Sequence, residues 1–144
     1  MNPLETYILL FTDTLVSNLA INSSYELVIH SMKIFGQYNS YLIIFVASSA
    51  FAVSCLANYL LGIICFRILS PLSPKESETA IRTEKIRDNK YLPLLLLLSA
   101  FPFFGKFVIL IAGFCKTRLL LTIIIAALAK FVYYSFLMLE PIFI

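Results

Sequence analysis

Four polar residues sit in otherwise apolar surroundings, where a charge or an amide needs a reason to be: Glu26, Asn58, Lys106 and Lys130. A charge at the centre of a bilayer costs about 2.5–3.5 kcal/mol on insertion scales, so such groups pair, line water or mark a substrate or ion pathway. Lys106 follows Pro102 and Gly105, which together break a helix. Two readings fit it: a partner or aqueous cavity at depth, or a place near an interface to which it snorkels. Lys130 lies in mid-segment, where snorkelling is harder, and shares a helix face with Tyr133 and Tyr134. Glu26 follows the amide- and hydroxyl-rich Asn22-Ser23-Ser24. It reads either as part of a capping turn at a membrane surface or as an acid at the tip of a re-entrant element. Its natural partner in the second case is Lys106 or Lys130. Asn58 belongs to a four-spaced stripe of Ala50, Ser54, Asn58 and Gly62. Small residues so spaced form a helix-packing face; the sharper reading is a pore or substrate face around Asn58 and Tyr59. Asp13 reads as a tolerated polar residue near a helix start rather than an ion ligand.

Other chemistry has little to stand on. There is no GxGxxG, P-loop, HExxH or GxSxG pattern, and the single histidine, His30, is isolated. Cys55, Cys65 and Cys115 lie in apolar stretches without CxxC spacing and read as small packed hydrophobes. No enzymatic activity, cofactor, metal or disulfide framework is expected.

The elements that must position the four residues follow from composition. The chain has 144 residues, 60% hydrophobic and 13% charged, with a mean hydropathy of +0.92. Soluble domains run at about 45–50% apolar and about 25% charged. That gap excludes an ordinary soluble enzyme, a disordered chain and a nucleic-acid-binding domain. The net charge of +3 sits in loops and reflects orientation and anionic headgroups. Four apolar segments, 7–29, 41–66, 91–115 and 119–139, approach the roughly 20 residues a bilayer crossing needs. They predict an all-α integral membrane protein, one membrane domain over 1–144, with some segments re-entrant or broken. Segment 7–29 is the weakest, holding Asp13, Asn18, Asn22 and Glu26; segment 91–115 is interrupted at Pro102 and Gly105. The hydrophilic loop 67–90 carries Arg67, Lys75, Arg82, Lys85, Arg87 and Lys90, against Lys33, Lys116 and Arg118 on the other side if all four segments cross. That balance predicts a cytoplasmic central loop, and with four crossings both termini are cytoplasmic too. Glu5 and Asp13 stand where a signal peptide has its basic region, so no cleavable leader is expected. No internal sequence repeat is evident.

Four regions resemble the DedA/VTT-type (SNARE-associated) bacterial membrane proteins, in particular the compact YqaA-like subgroup. Leu19-Ala20-Ile21-Asn22-Ser23-Ser24-Tyr25-Glu26 is similar to that family's Leu-Pro-Gly-Ser-Ser-Glu region. Ala47-Ser48-Ser49-Ala50, followed by Ala57-Asn58-Tyr59-Leu60-Leu61-Gly62, resembles its glycine-rich helix ending in Asn-Tyr-x-x-Gly. Leu98 to Gly105, leading to Ala112-Gly113, resembles the proline-containing re-entrant segment. Ala129-Lys130 with Tyr134 resembles the Gly-Lys-x-x-Arg-Tyr helix. The chain departs from the pattern at Ile21, Asn22, Ala50, Phe51 and Ser54, at Lys106 where the subgroup usually has Asp, and at Tyr133 where it has Arg. Ser99 and Gly105 stand where the wider family has paired arginines around the proline. The ordered set spans residues 7–139.

The resemblance implies a multi-pass protein of the bacterial inner membrane, with membrane lipids as partners and no nucleic acid. It implies transbilayer movement of phospholipid or polyprenyl-phosphate and a part in envelope maintenance. Glu26, Asn58, Lys106 and Lys130 are then the pathway candidates and Pro102 and Gly105 the broken-helix positions. A lysine beside freed backbone N–H groups suits a lipid phosphate, with Glu26 as protonation switch or counter-ion. A homo-oligomer is one way for so short a chain to enclose a pathway. Two alternatives stand beside this. Pro102 to Phe107 also resembles the lysine-bearing broken helix of antiporter-like respiratory subunits, which reads as a small proton-translocating subunit. A non-transporting assembly protein is the other.

Overall fold

The structure, a computed structural model, describes residues 2–22, 25–69, 76–101 and 104–140, with backbone alone at 76–80 and 83. Among these residues all regular structure is helical: α1 (Pro3–Ser17), α2 (Leu27–Phe35), α3 (Ser40–Leu69), α4 (Glu76–Arg87), α5 (Leu92–Leu97), a short 3₁₀ turn (Leu98–Ala100), α6 (Gly105–Phe114) and α7 (Leu119–Leu139). Two helices, α3 with 30 residues and α7 with 21, are long and apolar enough to cross a membrane. At 1.5 Å per residue they extend about 45 and 32 Å, against a hydrocarbon core of about 30 Å.

The other apolar segments turn back on themselves. Pro3 opens α1 at its first position, where a missing N–H costs nothing, and the Asn2 N–H donates to Glu5 Oε2 at 3.3 Å. The helix then runs alongside α3 in the same direction: Thr6 Oγ1 lies 3.4 Å from Tyr38 OH, Ser54 Oγ donates to Leu15 O at 2.9 Å, and Asn58 Nδ2 donates to Asn18 O at 2.8 Å. Past Asn18 the chain reverses. On α1, Asp13 caps the returning α2 by accepting the Val28 N–H at 3.0 Å, an anion placed at a helix N-terminus. The return ends at Gly36 in the left-handed conformation, φ +62°. Thus α1 and α2 form a hairpin open at the face where α3 begins, with its tip beside Asn58.

A second hairpin comes from the opposite face. Residues 87–93 and 116–121 line one cleft, so the segment between them starts and finishes on the same side. Phe101 is extended, φ −70° and ψ 132°, as expected of a residue ahead of proline. Pro102 itself lies outside the described residues. Gly105 starts α6 so close to Ser99 that a Cβ there would lie 2.2 Å from the Ser99 carbonyl oxygen. This face is where α3 ends and α7 starts. Tyr59 OH donates to Thr117 O just ahead of α7, and Lys130 further along lies 5.3 Å from the Phe51 ring, so α7 runs antiparallel to α3.

Among the described residues two helices, rather than four, have the length and composition of a crossing. With four crossings Lys116 and Arg118 would lie opposite loop 67–90; they instead share a cleft with Arg87 and Lys90. The start of α1 and the end of α7 lie on the other face, not on the side of the loop. Within that loop, 76–87 is helical. No sequence repeat marks it, yet each half of the chain is a hairpin followed by a long helix, in opposite orientation. Each joint carries a positive φ, at Gly36 (62°) and Lys116 (52°).

Large apolar side chains cover the outside as well as filling the core around Leu10, Ile29, Ile43 and Phe51, and several polar ones are buried among them. Leu4, Phe45, Leu120 and Phe136 are 64–74% exposed, whereas Thr14, Ser54, Asn58, Thr122 and Lys130 are at most 1% exposed. The stripe on α3 is buried, and its last member brings two backbones together. A Cβ on Gly62 would meet Leu110 O at 2.2 Å, and one on Gly113 would meet Tyr59 O at 2.2 Å. This is close helix approach through small residues. Gly113→Ala is expected to cost about 1–3 kcal/mol, the price of forcing a crossing apart. Gly36→Ala meets no atom within 4 Å and is expected to lose only about 1 kcal/mol through its φ. Unfolding in mixed micelles of detergent and SDS measures both.

Candidate functional site

The tips of the two hairpins meet between α3 and α7, and the polar residues singled out in the sequence gather there. An interrupted helix leaves backbone groups that hydrocarbon cannot satisfy. Asn58 answers this for the first hairpin. Its Nδ2 donates to Asn18 O and its Oδ1 accepts the Ala20 N–H, both at 2.8 Å. One amide thus clamps the turn in both directions, and its burial on α3 fixes how deep the tip reaches. Lys106, near the start of α6, does the corresponding work from the other hairpin. Its Nζ donates to Asn22 O and lies 3.5 Å from Ser17 O. It is 5% exposed, so of the two sequence readings the buried one holds. Its partners are carbonyls rather than a carboxylate.

The carboxylate belongs to Lys130. Glu26 stands at the cap position of α2, near the tip of the hairpin, but its side chain makes no capping bond there. Its Oε1 accepts from Tyr134 OH at 2.5 Å and from Asn18 Nδ2, and lies 3.5 Å from Lys130 Nζ. Lys130 is fully buried and its Nζ makes no hydrogen bond. It is held instead by the ion pair and by three rings, with Tyr133 at 4.9 Å and Phe51 and Tyr134 at 5.3 Å. Such cation–π contacts strengthen when water is excluded. The α7 spacing of Lys130, Tyr133 and Tyr134 puts the ammonium and two of the rings on one face.

All four candidates are thus in one buried cluster, with Gly105 at its edge. Asn58 and Lys106 spend their polar atoms on the tip of the first hairpin. Glu26 and Lys130 face each other across the interface between the halves. Sequence reasoning missed Asn18, whose amide also donates to Thr14 O at 2.8 Å. It named Asn18 only as a flaw in an apolar segment, although Asn at a helix end followed by a polar cluster is a recognisable capping signal. It paired Tyr134 with Lys130 but not with Glu26, because that contact joins residues far apart in the chain. Tyr59, placed with Asn58 on a possible pore face, instead ties α3 to the turn at Thr117. Asp13 is a cap. Among the described residues no cluster of His, Cys, Asp and Glu offers a metal site.

What this arrangement can do is hold charge. In their ordinary states Lys106 and Lys130 bring two cations against the one carboxylate of Glu26, and the Lys130 ammonium has unused donors. Removing one member of a buried pair strands the other, at about 3–5 kcal/mol. Lys130→Met is therefore expected to destabilise by about that amount, and adding Glu26→Gln to recover most of it. Asn58→Ala is expected to lose about 1–3 kcal/mol by leaving the turn's backbone unsatisfied. Equilibrium unfolding in detergent reads all three.

No family model matches the sequence, and no solved structure matches it. A relative is found in Rickettsia prowazekii (strain Madrid E), the uncharacterized protein RP436. It is 36% identical over 137 residues, an alignment covering 94% of this chain and 96% of that protein. Identity at this level along nearly the whole of both chains means that the protein belongs to the same family as this Rickettsia protein.

Proposed function

We propose that the protein is a multi-pass inner-membrane protein that moves an anionic lipid headgroup, of a phospholipid or a polyprenyl-phosphate, across the bilayer. The observation that carries this reading is the meeting of two opposed hairpin tips at a buried centre with more cationic than anionic side chains. Hairpins from opposite faces shorten the apolar path between the two surfaces to the thickness of their tips. An excess cation in hydrocarbon is costly unless a negative group accompanies it, and a phosphate is such a group. Lys130 can exchange its 3.5 Å contact with Glu26 for a phosphate oxygen. The apolar exterior of α1, α3 and α7 supports placement in lipid. The paired hairpins also fit the re-entrant architecture implied by the resemblance to DedA/VTT-type proteins.

The positive-inside rule puts the basic face, with Arg67, Arg82, Lys85, Arg87, Lys90, Lys116 and Arg118, on the cytoplasmic side. Single cysteines at positions 38, 85 and 118, in a background without Cys55, Cys65 and Cys115, test the placement. Impermeant thiol reagent is expected to label position 38 from the periplasmic side and positions 85 and 118 only from the cytoplasmic side. Labelling of 85 and 118 from opposite sides would restore four crossings.

Transport itself is tested in proteoliposomes with labelled phospholipid and a polyprenyl-phosphate probe. Wild type is expected to accelerate transbilayer movement of at least one probe. Glu26→Gln and Lys106→Ala are expected to slow it about tenfold or more, roughly 1.4 kcal/mol of barrier, while circular dichroism and monodispersity are retained. Movement no faster than in empty liposomes for both probes would defeat the proposal.

A further inference from the structure

The face at which the second hairpin opens carries a feature that the polar centre does not use. Between residues 87–93 and 116–121 lies a cleft of about 560 Å³. Its walls hold Arg87, Lys90, Lys116 and Arg118 against a single carboxylate, Asp88. Arg87 is partly occupied, with Nε 3.6 Å from Asp88 Oδ1, and Lys116 lies 4.3 Å above the Phe66 ring. Among the described residues no carboxylate lies within 4 Å of the charged end of Lys90, Lys116 or Arg118. The cleft therefore presents converging cations from two chain segments that the hairpin brings together.

Beside it runs a groove of a different kind, about 300 Å³, walled by Ile86, Tyr91, Leu94, Leu95 and Leu98 and almost wholly apolar. The two are contiguous, sharing Asn89 and Leu92. One side of the shared wall offers cations and the other offers hydrocarbon, along the outer face of α5. A free anion fills only the first and an apolar chain only the second. An amphiphile with a phosphate at one end and an acyl chain at the other fills both. Basic pockets at the cytoplasmic surface of membrane helices suit such headgroups, each Lys or Arg adding to the attraction.

We infer that this cleft and groove are a binding site for one anionic phospholipid. Its phosphate lies among Lys90, Lys116, Arg118 and Arg87, and its acyl chain lies along Leu94, Leu95 and Leu98. The site rests on the membrane placement proposed above but not on transport, because it lies outside the Glu26–Lys130 centre.

The test is native mass spectrometry of the full chain in a neutral detergent, titrated with phosphatidylglycerol or phosphatidylcholine of matched chains. Wild type is expected to retain one phosphatidylglycerol with about tenfold preference or more, and the double variant Lys90→Ala/Arg118→Ala to lose that preference. Leu95→Glu is expected to weaken retention of both lipids by placing a charge in the groove. The preference is read without any transport step, which separates this site from the centre even if transport fails. Equal retention of the two lipids by wild type would overturn the inference, as would an undiminished preference in the double variant. Displacement of the lipid by millimolar inorganic phosphate would also overturn it, since the site would then recognise the anion alone.

Discussion

A helix that stops inside an apolar environment must find partners for the backbone groups it releases. That constraint organises this molecule. Two of its apolar segments stop partway and return, and each return is held by a side chain from elsewhere. Asn58, on the longest helix, binds a carbonyl and an N–H of the first turn. Lys106, on the second hairpin, binds carbonyls of the same turn. Take these away and neither the depth of the first hairpin nor its contact with the second is specified, because apolar packing against lipid-like surroundings does not choose a register. The close crossing of Gly62 and Gly113 then decides which helices lie against the clamp.

Much of this was legible in residue types. A charge or amide in an apolar run needs a partner, and that argument alone selects Glu26, Asn58, Lys106 and Lys130. The four-spaced stripe on α3 names the packing face, and the proline after Phe101 marks the second break. What the sequence concealed was direction. Segment 7–29 has the length of a crossing, and nothing local says that its polar interior is a reversal rather than a set of tolerated residues. The signal was present at Asn18 and Asp13, but capping of one helix by a residue on another is visible only after the chain has turned. Counting each segment as a crossing separates Lys116 and Arg118 from the loop 67–90, whereas in the fold they share a cleft with Arg87 and Lys90. Tyr134 illustrates the remaining limit. Its spacing from Lys130 is local, while its bond to Glu26 depends on the packing of α7 against the first hairpin.

The comparison of the halves explains why so short a chain can build a polar interior. Each half contributes a hairpin and a long helix, joined at a left-handed residue, Gly36 in one and Lys116 in the other. Neither half is complete. The first supplies the acid, Glu26, and the amide clamp, while the second supplies both buried lysines. Glycine at the first joint bears no steric cost, whereas a lysine at the second accepts strain, and its ammonium lies over the Phe66 ring.

The same complementarity bears on the energetics of the centre. Contacts across the interface between the halves include Glu26 with Lys130 and Tyr134, Lys106 with the first turn, Tyr59 with Thr117, and the glycine crossing. Most of these are polar, in a molecule whose α1, α3 and α7 expose many large apolar side chains. Burying an ion pair gives little net stability relative to a well-packed apolar pair, yet breaking one is expensive. Selection for stability alone would replace Glu26 and Lys130 by apolar residues of similar volume and keep the glycine crossing. The proposed passage of an anionic headgroup gives this pair a use that stability alone does not.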